Sequence, residues 1–175
     1  TRDMRNAGSQ QNFADSRRAA ERLQEARDAL GGMRRQQASG QLDDLSQRAG
    51  ELASRQRNFA DKLRQMYGRE QGQGLRQGAS RQDVERLADE KRGMLSELQR
   101  LERDMKDSVR DLAGTERAAS SKLREALGDM QQSELGLRMK FQSEYIRRGL
   151  GAYAWMREQT ITQGLDRLTD QVKEA

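Results

Sequence analysis

The side chains that could do chemistry here are carboxylates, since the sequence has neither histidine nor cysteine. Without those residues, Ser–His and Cys–His nucleophile pairs cannot form, and the commonest ligands of transition metals are missing. Acidic residues are densest at Asp43–Asp44, at Asp89–Glu90 and in the row Asp104, Asp107 and Asp111. Each set is interleaved with Arg or Lys, which is typical of a solvated helix face. We therefore expect a protein that is not an enzyme, with no catalytic residues, no cofactor and no metal.

A second candidate for chemistry is the short element Gly72-Gln73-Gly74, which resembles a fragment of a phosphate-binding loop. A phosphate-binding loop needs a strand before it and a Gly-Lys-Ser/Thr sequence after it, and both are missing here. The surrounding residues 68–79 are rich in glycine and glutamine. This composition predicts a flexible linker rather than a nucleotide site.

The composition favours long helices with thin cores. Hydrophobic residues make up 33% of the chain and charged residues 35%, whereas a typical globular domain is about 45–50% apolar when glycine is counted. There is no proline to interrupt a helix. Because each helix would bury only one narrow apolar stripe, we predict an all-α protein. No run of about 18 apolar residues exists, so the sequence predicts no membrane-spanning segment.

The first part of the chain, residues 1–67, carries two apolar stripes that are out of phase. The first stripe consists of Phe13, Ala20, Leu23, Ala26, Leu30 and Met33. The second consists of Leu42, Leu45, Ala49, Leu52, Phe59, Leu63 and Met66. One straight helix would turn these stripes to different sides. The pattern therefore predicts a helical hairpin over residues 1–67 with a turn near residues 38–41.

The next part, residues 80–148, has one regular seam of apolar positions. This seam runs through Val84, Leu87, Lys91, Met94, Leu98, Leu101, Met105, Ser108 and Leu112. It continues in phase through Ala119, Leu123, Ala126, Met130 and Leu137. The continuous phase predicts one long helix, whereas the pair Gly114-Thr115 predicts a hairpin with a break at 114–115. The sequence leaves these two alternatives open.

The last part, residues 149–175, is predicted to be a C-terminal helix of the same domain. Cations at Arg147 and Arg148, followed by Gly149, are typical of a helix C-terminus. The seam of the last helix runs through Ala154, Glu158, Ile161, Leu165, Leu168 and Val172. Together these patterns predict four or five long helices in an elongated, coiled-coil-like bundle of antiparallel hairpins.

Polar residues interrupt the seams at Gln56, Lys91, Ser108 and Glu158. In coiled coils such residues fix the register or the partner at some cost in stability. Because a lysine in an apolar seam should be unfavourable, we expect Lys91→Leu to raise the melting temperature.

Two regions supply the candidate residues for binding a partner. One is the seam of the most regular helix, and the other is the aromatic stretch over residues 139–163, where Gly149 and Gly151 suggest a junction between helices. Tyr and Trp combine an apolar body with a polar tip and are frequent in interfaces. The candidates are Leu87, Lys91, Met94, Leu98, Leu101, Tyr145, Tyr153 and Trp155. Protein is the expected partner, through self-association or through helices of a parent protein.

The charge balance supplies an alternative function. The chain carries a net charge of +5, with arginine pairs at Arg17-Arg18, Arg34-Arg35, Arg55/Arg57 and Arg147-Arg148. Arginine-rich helix faces can bind nucleic acid or an anionic membrane surface. Acidic residues lie near every pair, however, and the pairs fall on separate segments. A non-enzymatic scaffold or protein-interaction module is therefore the preferred hypothesis.

Residues 29–63 and 147–175 together carry a resemblance. Their glutamine- and arginine-rich helical pattern is similar to the helical C-terminal region of large bacterial membrane-anchored proteins of unknown function. The resemblance implies a location in the bacterial cell envelope, on its extracytoplasmic side, and supplies no catalytic residue. Because the first residue is Thr1 rather than Met, we expect the chain to be a segment of a larger protein.

Overall fold

The computed structural model describes residues 2–68 and 80–175, with side chains described from residue 15 onward. It contains the helices α1 (Arg2–Tyr67), α2 (Arg81–Leu112), α3 (Arg117–Gln132), α4 (Leu135–Arg147) and α5 (Gly151–Glu174). No strand occurs in these two ranges, which confirms the predicted all-α class. The predicted linker at 68–79 lies outside the described residues except for Gly68, which forms a turn after α1.

The hairpin predicted for residues 1–67 is wrong. Helix α1 continues through residues 38–41 without a turn. The serine at position 39 and the glycine at position 40 have low helix propensity, but together they cost only about 1 kcal/mol or slightly more. A long helix tolerates that cost. The two stripes face different surroundings on one continuous helix. Their difference in phase therefore does not require the chain to reverse.

The chain divides into two compact units, Thr1–Ser39 and Gly40–Ala175. In the first unit, the side chains over residues 15–37 are exposed, with only Gly31 partly covered. In the second unit, the stripe of α1 is buried at Leu45, Ala49, Leu52, Phe59 and Leu63. Two stripes with different environments need not share one side of a helix. The exception is Met66, which the sequence placed in the buried stripe and which is 39% exposed.

The second unit is a bundle in which neighbouring helices run antiparallel. Lys62 of α1 pairs with Glu90 of α2, and Arg48 of α1 pairs with Asp104 of α2. Residue numbers therefore fall along α1 in the direction in which they rise along α2, so the two helices are antiparallel. Helices α3 and α4 both pack along α2. Helix α5 packs along α3 and α4 and contacts α1 through Arg57–Asp166. The pattern is the up-down-up-down arrangement of a four-helix bundle, with α3 and α4 sharing the third position.

The break between α2 and α3 decides the alternative left open at 114–115 in favour of the hairpin. Residues 113–116 form the turn, in which the backbone N–H of Glu116 donates to the carbonyl of Leu112 at 2.8 Å. The hydroxyl of Ser120 donates to the carbonyl of Val109 at 2.8 Å and ties the two helices together. At its other end, α2 begins at the cap Ser80, whose side chain accepts from the N–H of Asp83.

A second break, between α3 and α4, was not predicted. Glu134 adopts a left-handed conformation with φ of 53°, which is uncommon for a residue with a side chain. The break changes which residues face the core. Leu135 and Met139 are buried, while Leu137, which the continuous seam placed in the core, is 45% exposed.

The turn between α4 and α5 confirms the predicted junction at Gly149. Gly149 has φ of 79°, and the N–H of Leu150 donates to the carbonyl of Tyr145 at 2.9 Å. This is the Schellman arrangement that ends many helices at a glycine. Gly151 has another role, because a Cβ atom there would lie 2.0 Å from Cζ of Tyr67. The missing side chain lets the end of α1 pack directly on the start of α5.

Candidate functional site

The polar residues of three seams meet at one level in the core of the second unit. Gln56 of α1, Lys91 of α2 and Glu158 of α5 are buried, with relative exposures of 0%, 0% and 1%. Helix α1 runs antiparallel to both α2 and α5, and this packing brings the three residues together. We call these three residues the buried polar centre.

Every donor of the Lys91 ammonium group has a partner. Its Nζ donates to Oε2 of Glu158 at 2.6 Å and to Oε1 of Gln56 at 2.8 Å. It also lies 4.7 Å from the ring centroid of Phe59, within the range of a cation–π contact. The amide of Gln56 donates to Oε2 of Glu158 as well, and at 3.3 Å to the hydroxyl of Thr162. The charge is therefore satisfied by groups from α1 and α5.

Burial governs the electrostatics of this centre. Desolvation lowers the pKa of Lys91 from its ordinary value of 10.5, and the attraction of Glu158 opposes that shift only in part. A buried ion pair is costly to form, because its attraction must repay the removal of two charges from water. The other oxygen of Glu158, Oε1, has no hydrogen-bond partner and adds to the cost.

The arrangement bears on how the three helices align with one another. Lys91 is fully enclosed, so no external molecule reaches its amine. A shift of α2 or α5 by one turn would leave a buried charge unpaired, and a shift of α1 would remove the hydrogen bonds of Gln56 to both charges, which disfavours alternative packings. The geometry therefore specifies one alignment of α1, α2 and α5.

The five candidate residues on α2 all lie in this core. Leu87, Lys91, Met94, Leu98 and Leu101 have relative exposures between 0% and 4%. Their surfaces are covered by the chain's own helices. The stripes of α1 and α2 thus pack against each other within one chain, which was one of the two predicted pairings.

The aromatic candidates lie around the turn between α4 and α5. The rings of Tyr145 and Tyr153 meet edge to face with centroids 5.0 Å apart. Phe141 stacks on Tyr145 at 6.4 Å, and the guanidinium carbon of Arg157 lies 4.2 Å from the centroid of Tyr153. These contacts hold the rings in fixed positions at the surface.

Trp155 lies about 160° around α5 from Tyr153, and the exposed Met156 lies between them on the outward face of the helix. It lines a groove of about 540 Å³ with Asp61, Arg64 and Gly68, and an adjoining groove of about 490 Å³ with Met156. The tyrosine flank has its own groove of about 280 Å³, lined by Tyr145 and Arg157 among others. We define the aromatic patch as Phe141, Tyr145, Tyr153, Trp155 and Met156.

The aromatic patch leaves apolar surface in water. Phe141 is 43% exposed, Tyr153 36% and Met156 62%, while Tyr145 and Trp155 are half-buried. Leu150, in the turn beside them, is 48% exposed. Single exposed apolar residues are ordinary, but several that adjoin mark a surface for association.

Several of the arginines that suggested an anionic partner are held by carboxylates of the bundle. Of the four arginine pairs, Arg57 is held by Asp166 at 2.8 Å and Arg55 by Glu97. Arg48, which lies outside those pairs, is held by Asp104 at 2.6 Å. The hydrogen bond that Arg48 donates to Asp104 raises the pKa of Arg48 above its ordinary value. Much of the positive charge of the second unit is therefore neutralised locally.

The sequence marked Gln56 and Glu158 only as interruptions of a seam and did not identify them as partners of Lys91. The signal that could have found the centre is that the seams of α1, α2 and α5 each carry a long polar side chain among apolar residues. Gln142, which is buried with its side-chain oxygen unpartnered, was missed altogether. It follows Phe141 in α4 and has no distinguishing pattern in the sequence.

Among the side chains that the structure describes, at residues 15–68 and 80–175, no group of three or more acidic residues is placed to hold a metal ion. In the same ranges no helix is long and apolar enough to cross a membrane. No family model, curated protein or solved structure matches this chain.

Proposed function

We propose that this chain is a non-enzymatic helical scaffold that binds protein through the aromatic patch. The observation that carries the proposal is the contrast between a filled core and an exposed patch. The bundle covers its long seams internally and fixes its alignment with the buried polar centre. The aromatic patch is the part of the second unit where adjoining aromatic side chains stay in water.

The chemistry of the patch suits a protein surface. Tyr and Trp supply contact area with few rotatable bonds, so ordering them on binding costs little entropy. The T-shaped pair Tyr145–Tyr153 and the contact of Arg157 with Tyr153 hold the rings before a partner arrives. The partner is a second copy of the chain or a helix of a parent protein.

The resemblance of residues 29–63 and 147–175 adds a location to this proposal. A scaffold of this kind would serve on the extracytoplasmic side of a bacterial cell envelope, as a segment of a larger membrane-anchored protein. Coiled-coil association is the expected mode of contact, because the chain is built of long amphipathic helices.

The first test separates the patch from the fold. Because exposed apolar side chains contribute little to stability, Phe141→Ser and Met156→Ser should leave the thermal melt nearly unchanged, within about 0.5 kcal/mol. Ile161→Ser, at a site 1% exposed, is the matched control on the same helix and should destabilise by about 3 kcal/mol or more. Circular dichroism melts measure all three.

The second test concerns binding. A photo-crosslinking amino acid at position 153 or 156 should give discrete protein adducts in cells of the source organism. The same residue at position 124, where Arg124 of α3 is exposed, is the control. Sedimentation equilibrium over a range of concentrations then separates self-association from other partners. Equal adducts at 124 and 153, or none at 153 and 156, would overturn the proposal.

The second candidate function is binding to nucleic acid or to an anionic membrane surface. It is favoured by the exposed pairs Arg17-Arg18 and Arg34-Arg35 in the first unit. Such binding releases counterions and falls steeply with salt. Retention on heparin or on phosphatidylserine vesicles that disappears at moderate salt would support it, and no retention at low salt would remove it.

A further inference from the structure

The first unit exposes an apolar stripe that is separate from the aromatic patch. Within residues 15–37, Leu23 is 72% exposed, Leu30 50% and Met33 60%. Ala26 completes the set, so the spacing alternates between three and four residues. This spacing places the four side chains on one face, as in the seam of a coiled coil. An isolated helix with so narrow a stripe is only marginally stable in water, so a second helix would stabilise it.

The charged side chains that directly flank the stripe, at the e and g positions, are all arginine. At 100° per residue, Arg22 flanks the stripe on one side, and Arg27 and Arg34 flank it on the other. Glu21 and Asp28 fall on the opposite face. With Leu23 and Leu30 at position a of a heptad, the three arginines occupy the e and g positions, which face the charges of a partner helix.

We propose that the stripe of residues 19–33 docks an acidic amphipathic helix of another protein in a short coiled coil. The partner's apolar positions would cover Leu23, Ala26, Leu30 and Met33. Glutamates or aspartates at its e and g positions would face the flanking arginines. The stripe of residues 19–33 is about 22 Å long, or roughly two heptads, within an exposed length of about 34 Å over residues 15–37.

A second copy of this chain fits the stripe poorly. In a parallel, in-register pair, Arg22 of one copy at position g would face Arg27 of the other at position e. An antiparallel pair brings e positions to e positions, and these are also arginine at 27 and 34. Like charges in these positions are destabilising, so the flanks select an acidic partner.

An anionic membrane surface also fits less well. A helix that lies in the membrane interface usually carries aromatic and bulky apolar residues over a broad face. Residues 15–37 contain no aromatic residue, and the range also includes the acidic residues Asp15, Glu21, Glu25 and Asp28. The narrow stripe matches the face of a helix better than the face of a bilayer.

The test uses the full chain and a labelled synthetic coiled-coil peptide with Leu at a and d and Glu at e and g. Fluorescence anisotropy should show saturable binding. The triple variant Arg22→Glu, Arg27→Glu, Arg34→Glu should weaken binding at least about tenfold, because attractive pairs become repulsive. The same variant should bind a version of the peptide with Lys at e and g. That rescue distinguishes loss of charge complementarity from loss of folding.

The matched control reverses arginines on the opposite face. Arg17→Glu with Arg35→Glu should change the affinity less than about twofold. The proposal is overturned if the acidic peptide does not bind or if the triple variant binds it equally well. It is also overturned if the free chain forms dimers that Leu30→Ser abolishes, since a second copy would then cover the stripe. The same holds if phosphatidylserine vesicles bind residues 15–37 and the peptide does not compete with them.

Discussion

The effect on stability that we expect from replacing Lys91 by leucine reverses once the neighbours of Lys91 are known. As a lysine in an apolar seam, it predicted that leucine would be stabilising. Beside Glu158 and Gln56, the same substitution removes one member of a buried pair and leaves the carboxylate without its counter-ion. The identity of a residue and its place on a helix face could be read from the sequence. Its partner could not, because the two charges are separated by a long stretch of chain.

The corrected expectation for Lys91 concerns stability. Lys91→Leu should lower the free energy of unfolding by about 3–5 kcal/mol, since an uncompensated charge remains buried. The triple variant Gln56→Leu, Lys91→Leu, Glu158→Leu should be about as stable as the wild type, or more stable by about 1–4 kcal/mol. Urea unfolding followed by circular dichroism measures both. A stabilised single variant would show that Lys91 and Glu158 do not form a pair in solution.

The lowered pKa of Lys91 predicts a dependence of stability on pH. Between its pKa in the folded state and its ordinary value of 10.5, the unfolded chain holds the proton more often than the folded chain does. The free energy of unfolding therefore rises with pH through this window, and below the folded pKa the contribution is constant. The measurement is urea unfolding from neutral pH to pH 10.5, with Lys91→Leu as reference. A difference that falls as pH rises would contradict the lowered pKa.

At the scale of helices, most element positions followed from propensity and phase. The end of α4 at Gly149 and the seam of α5 were predicted correctly, because a glycine after two arginines and a regular apolar spacing are local signals. The break at Glu134 was missed because neither glycine nor proline marks it. The hairpin near residue 40 was wrong because a change of phase was interpreted as a change of direction.

Replacing a glycine of these helices by alanine should raise or lower stability according to what lies next to the added Cβ atom. Gly151→Ala should destabilise the bundle by about 1–3 kcal/mol, because the new Cβ would overlap the ring of Tyr67 and force a shift of α1 or α5. Gly93→Ala in α2 is the control, since nothing lies within 4 Å of the added atom. It should stabilise by about 1 kcal/mol through helix propensity. Thermal melts of both variants decide whether Tyr67 packs on Gly151.

At the scale of the whole molecule, the sequence supported the helical class and the antiparallel pairing of the stripes of α1 and α2. It did not predict which stripe is buried and which is exposed. The stripes at 23–33 and at 45–63 look alike as patterns, yet one is exposed and the other is buried. Which stripe finds an internal partner depends on all the helices together. That difference leaves the stripe at 45–63 in a packed bundle and the stripe at 23–33 exposed.

The most direct test is whether residues 40–68 and 80–175 form one antiparallel bundle in which the residues of the buried polar centre meet. The chain has no cysteine, so spin labels can be placed in pairs and their separation measured by pulsed electron paramagnetic resonance, with unlabelled protein added to remove signals between chains. Labels at 62 and 90, and at 48 and 104, replace exposed ion pairs that contribute little to stability.

We expect the two labels of each of these pairs to lie close together within one chain. Labels at 62 and 104 should be farther apart, because positions 90 and 104 differ by about 21 Å along α2. A separation for 62 and 104 shorter than that for 62 and 90, or close distances that vanish on dilution with unlabelled chains, would contradict the antiparallel bundle.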